Sequence, residues 1–190
     1  MLPALEKLGL IEPAAGPDGG RQLAAGLRAG ALPAVTELWI GDTHVGDAGA
    51  SALAAALGQG ALPRLKSLVL YNTAIGDAAL VALAPALRRL PTLEELALYA
   101  NPLSDEGLAP LVAPPSPAGA PPPTTGGLAQ LKGLWLGDTQ ITDAGCATLA
   151  AALDSGALPA LRNLYLQSTR ASATAKAAVR GARYSVQFLG

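Results

Sequence analysis

The chain has 190 residues, 51% hydrophobic but only 4% aromatic, with 13 Lys+Arg against 14 Asp+Glu. That is enough for one domain and its core, and the near-neutral balance gives no global electrostatic reason to bind nucleic acid. One cysteine, Cys146, and one histidine, His44, exclude an intrachain disulfide, a Cys-based zinc site and a multi-His metal centre, and nothing points to a cofactor.

No apolar run approaches the roughly 18 residues of a membrane span. The N-terminal stretch is interrupted by Glu6 and Lys7 and is followed by no small-residue cleavage pattern. The expectation is a cytoplasmic protein without membrane contact.

Along the chain one pattern returns. LPALEKLGL begins at Leu2, LPAVTELWI at Leu32, LPRLKSLVL at Leu62, LPTLEELAL at Leu90, LAQLKGLWL at Leu128 and LPALRNLYL at Leu158. Within each copy the last two apolar positions alternate, as on one side of a strand. A turn follows, such as GDTHVGDAG or GDTQITDAG, and then an Ala/Leu stretch such as ASALAAAL or CATLAAAL with helical spacing. Asp47, Asp77, Asp105 and Asp143 stand just before these stretches, with Asp18 in a similar place in a degenerate first unit. A carboxylate there accepts orphan backbone N–H groups and complements the helix dipole. Each unit therefore reads strand, turn, helix, return loop. None can bury its apolar side alone, so stacking is required, with strands in parallel and helices in a second layer.

These units resemble leucine-rich repeats, L-x-x-L-x-L-x-x-[N/T]-x-[I/L], of the long, helix-containing, ribonuclease-inhibitor-like kind. The resemblance implies one α/β domain over residues 1–190: a curved right-handed solenoid, parallel sheet on the concave face and helices on the convex face. It also implies protein binding rather than catalysis. Regulators of enzymes, such as nuclease inhibitors and activators of small GTPases, are an alternative within the family. A fragment of a larger repeat protein, such as an immune-sensor-like receptor, is another. One departure concerns the residue after the strand, usually Asn. It is Thr43, Thr73, Thr139 and Thr169 here, with Asn101 the exception, and a hydroxyl offers fewer bonds than a carboxamide.

Two segments break the repeat. Residues 113–127, APPSPAGAPPPTTGG, read as a looped-out insertion or a Pro-rich partner ligand. Residues 170–190 read as a capping segment, with a helix ending near Gly181 and a final edge strand, YSVQFL. From residue 155 onward there are five Lys or Arg and no acid, which suits a solvated cap or attracts an acidic partner.

Strand positions facing away from the Leu core form columns on the concave face. One holds Gly9, Trp39, Val69, Ala97, Trp135 and Tyr165; another holds Ile11, Gly41, Tyr71, Tyr99, Gly137 and Gln167. Both tryptophans and three of the four tyrosines thus share one face, with Glu37, Asp42, Glu95 and Asp138 beside them. Large stiff aromatics with a polar handle serve as binding anchors, so this face is the expected site for a protein or peptide partner of basic character. The competing reading is that the rings shield strand backbone over Gly41 and Gly137. Catalysis has little support: His44, Asp42, Asp47 and Ser51 crowd one turn without a pocket, and Cys146 replaces Ala50 on a core-facing helix position.

Overall fold

The computed structural model describes residues 5–11, 16–30, 32–112, 128–182 and 187–188. The insertion at 113–127 lies outside them. Strands β1 (Lys7–Ile11), β2 (Glu37–Gly41), β3 (Ser67–Tyr71), β4 (Glu95–Ala97), β5 (Gly133–Trp135), β6 (Asn163–Tyr165) and β7 (Gln187–Phe188) alternate with helices. These are α1 (Gly16–Arg28), α2 (Gly46–Gly58), α3 (Asp77–Leu87), α4 (Asp105–Val112), α5 (Asp143–Asp154) and α6 (Ala173–Ala182). The strands form one sheet in the order β1 to β7, every neighbouring pair parallel. Parallel neighbours need a long crossover, and each unit's helix supplies it. The array is an α/β solenoid.

The register carries the sequence pattern into space. Leu8, Leu38, Leu68, Leu96, Leu134 and Leu164 pair in succession, and from Leu38 onward all are fully buried. They meet the inner sides of the helices: Ala50, Leu53, Ala54 and Leu57 of α2, and Leu80, Leu83, Ala84 and Leu87 of α3. Spacings of three and four put each set on one helix face. Cys146 is buried in the same layer on α5, and burial pushes its thiol pKa up. It packs as a small apolar side chain, as its place in the repeat requires. No helix among the described residues is long and apolar enough to cross a membrane.

Every full unit leaves its strand through a left-handed residue. Asp42, Asn72, Ala100, Asp138 and Ser168 have φ of 51, 48, 56, 54 and 55°. Asn and Asp tolerate this region because their short side chains bond locally, and here Asn72 Nδ2 donates to Asp42 Oδ1 at 2.9 Å across the two turns.

The helix-start aspartates act differently from their sequence reading. Asp47, Asp77, Asp105 and Asp143 accept hydrogen bonds from the following unit rather than from their own helices, whereas Asp18 pairs with Arg21 on its own helix. Asp47 takes the Gly76 N–H at 2.7 Å, and Asp77 takes the Ser104 N–H at 2.8 Å and its hydroxyl at 2.6 Å. Asp105 does the same with Thr142, at 2.9 and 2.5 Å, and Asp143 with Ser172, at 2.6 and 2.9 Å. The carboxylate sits between two stacked helix starts, so it serves the neighbour whose N–H points at it. Through Asp143 this clamp also holds α6 to the last full repeat. Strand β7 pairs in parallel with β6.

The corner position shows what Thr costs. Asn101 Oδ1 accepts from Thr73 N, Thr73 Oγ1 and Ile75 N at 3.0, 3.1 and 3.2 Å, and its Nδ2 reaches the Leu70, Leu98 and Tyr99 carbonyls. Thr139 and Thr169 only donate within their own units, to Leu136 O and Leu166 O. Among the described residues Thr43 Oγ1 is buried with no partner, because the next corner, Thr73, has no amide to offer and gives its own hydroxyl to Asn101.

Opposite signs are expected at two corners. Asn101→Ala strands several buried groups and should cost about 3 kcal/mol, whereas Thr43→Val removes an unsatisfied hydroxyl and should gain about 1 kcal/mol. In the central unit, Leu68→Ala should cost roughly 2–5 kcal/mol. Chemical denaturation midpoints of the three variants check all three values.

Candidate binding face

Strand residues that point away from the helices lie on the open side of the sheet. The register places Gly9, Trp39, Val69, Ala97, Trp135 and Tyr165 in one column. Ile11, Gly41 and Tyr71 start the second. Backbone bonds carry that second column on, from Asn72 N to Tyr99 O, Ala100 N to Gly137 O and Asp138 N to Gln167 O. Glu37 and Glu95 stand in a third, with Lys7, Ser67, Gly133 and Asn163. Asp42 and Asp138 occupy the left-handed positions just beyond the strand ends.

The rings are layered on glycines, though not on the ones within their own strands' Trp-x-Gly pairs. A methyl on Gly41 would overlap the Tyr71 ring, one on Gly133 the Trp135 indole, and one on Gly137 would come within 2.9 Å of the Tyr165 ring. Tyr71, the register partner of Gly41 on the next strand, covers Gly41, and Tyr165, two residues before the position opposite Gly137, reaches diagonally over Gly137. Trp135 instead folds back along its own strand. Gly133 as a platform was readable in sequence only as a glycine two residues before a tryptophan. Tyr71 and Tyr99 stack at 5.3 Å with planes 10° apart. Trp39, by contrast, keeps 44% of its surface exposed.

Charge on this face is partly neutralised. Glu37 pairs with Lys7 at 2.8 Å, and Glu94, just below, pairs with Lys132 at 2.8 Å, whose hydrogen bond lowers the Glu94 carboxyl pKa. Asp42 Oδ2 accepts the Tyr71 hydroxyl at 2.9 Å, and that bond raises the Tyr71 pKa. The Tyr99 pKa is raised first by burial and then by the Asp42 charge. Tyr165 donates to Gln167 Oε1. Glu95 and Asp138 are exposed, and their side chains hold no partner among the described residues. The face thus gathers all nine predicted residues on one surface. It is a spread array, with Trp39 and Trp135 three strands apart.

The turn around His44 gathers nothing comparable. His44 and Ser51 are both exposed, Asp42 is engaged by Tyr71 and Asn72, and Asp47 holds Gly76. Among the described residues no three of His, Cys, Asp or Glu are grouped so as to hold a metal ion.

A family model for the leucine-rich repeat matches residues 33–54 and 89–112. Two of the repeat units thus match that model, and the chain has the fold of an α/β leucine-rich-repeat solenoid. Among solved structures, a leiomodin-1 actin-binding site 2 aligns over 95% of this chain and 79% of its own, with a TM-score of 0.53 and 15% identity. An internalin from Listeria monocytogenes aligns over 98% of this chain and 48% of its own, with a TM-score of 0.49 and 17% identity. Compared with the curated proteins, the chain matches none at a significant level.

If the Asp42 bond holds the Tyr71 phenol, Asp42→Asn should bring the Tyr71 pKa down toward 10.0. A titration followed by phenolate absorbance, with Tyr71→Phe identifying the step, measures it. The ring layer has its own test: Gly41→Ala should displace Tyr71 and lower the melting temperature, with the near-ultraviolet dichroism of the stacked pair reduced.

Proposed function

We propose that this leucine-rich-repeat protein is a non-catalytic interaction module of the long-repeat, ribonuclease-inhibitor-like kind, binding a protein or peptide partner on the open face of its sheet. The proposal includes a cytoplasmic setting and a partner that is neither nucleic acid nor membrane. The observation that supports it most is the convergence on that face of both tryptophans and the Tyr71–Tyr99 stack, with Trp39 left exposed in a chain poor in aromatics. Aromatic anchors with a partly acidic surround are what a desolvated contact uses. The likeness to the actin-binding leiomodin-1 segment stands at 15% identity. It supports the fold, and actin is not carried over as a partner.

The proposed contact residues are Trp39, Tyr71, Tyr99, Trp135 and Tyr165, with Glu37, Asp42, Glu95 and Asp138. Affinity capture from source cells tests them. Wild-type chain should retain a partner that the folded Trp39→Ala/Trp135→Ala double variant loses, with the variant's melt near wild type. Equal capture by both would remove the open face from consideration.

A further inference from the structure

The aromatic column has a low step in its middle. Between Trp39 on β2 and Trp135 on β5, strands β3 and β4 contribute only Val69 and Ala97. At about 4.8 Å per strand the two tryptophan positions lie about 14 Å apart. Val69 and Ala97 are the two short side chains between the indole-bearing strands, and each leaves a small part of its surface open, 9% and 5%. The stacked Tyr71–Tyr99 pair stands two residues further along the same two strands, and Ser67 and Glu95 stand two residues back.

Glu95 is the carboxylate left over around this step. Glu37 and Glu94 face Lys7 and Lys132, and Asp42 is held by Tyr71 and Asn72. Glu95 is exposed, and its carboxylate has no partner among the described residues. The place therefore offers an apolar floor, aromatic flanks and one uncompensated negative charge.

Resting on the reading that the open face binds a protein partner, we propose that this step is a subsite for one arginine side chain on an extended segment of that partner. The aliphatic stem lies over Val69 and Ala97. The flat guanidinium packs against the aromatic flank and meets the Glu95 carboxylate in a two-pronged hydrogen bond. Arginine suits this combination better than lysine, whose compact ammonium is more strongly hydrated and has no planar fork.

The test uses the full chain and a synthetic Gly/Ser peptide carrying arginine at alternate positions, titrated by tryptophan fluorescence. The peptide should bind and quench the indoles. Glu95→Gln, an exposed isosteric change, should weaken it at least fivefold. Ala97→Leu, which fills the step without altering charge, should do the same. Replacing arginine by citrulline in the peptide should match the Glu95→Gln loss, and the lysine peptide should bind more weakly than the arginine one. No binding, or equal binding by both variants or by the citrulline peptide, overturns the arginine subsite. The broader reading fails separately: a captured partner that survives the Trp39/Trp135 double substitution overturns that reading. One lost with the tryptophans but retained by Glu95→Gln and Ala97→Leu overturns the subsite alone.

Discussion

Everything in this molecule depends on the inability of one repeat to cover its own leucines. A strand with Leu68 and Leu70 on one side and a helix with Leu80, Leu83 and Leu87 beneath it still expose both flanks of that layer. Only a neighbour in the same register closes them. Parallel pairing at constant register satisfies this, and the six-copy column from Leu8 to Leu164 is its outcome. Because each unit touches chiefly its neighbours, stability is spread along the array rather than concentrated at one centre.

Two polar devices then fix how units meet. The aspartate at the start of each helix from α2 to α5 reaches forward to the next unit's turn, on the helix side. Asn101 does the corresponding work at the strand corner, but only once. Elsewhere threonine stands there: Thr73 reaches Asn101 through its hydroxyl, Thr139 and Thr169 bond within their own units, and Thr43 is, among the described residues, a buried hydroxyl without a partner. The carboxylate ladder, repeated in four units, compensates for the thin corner. The same stacking frees the opposite sheet face from any structural duty toward the helices, and the aromatics collect on that face.

Most of the fold was legible because its signal is periodic. The repeats, the strand positions, the core side of each helix, the buried Cys146 and the columns of the open face all follow from spacing alone. What was not legible concerns which neighbour a polar group serves. Asp47 reads as a cap for its own helix, yet bonds Gly76, since the geometry between stacked turns is absent from a linear pattern. Likewise Trp39-Ile40-Gly41 reads as a ring beside its own glycine, while the ring over Gly41 comes from Tyr71 on the next strand. The layering also revises the balance on the face. Tyr71, Trp135 and Tyr165 each shield backbone at a glycine, whereas Trp39 stands exposed, and Val69 and Ala97 lie low between the tryptophans.

The central claim is that the open sheet face, and not the outer helix layer, receives a partner. Its most direct test is photo-crosslinking in source cells from a benzoylphenylalanine placed at position 9, on the open face beside Trp39, or at position 81, where Val81 is exposed on α3. The account predicts a discrete crosslinked partner from position 9 and none from position 81. A partner joined through position 81 and absent at 9 would contradict it.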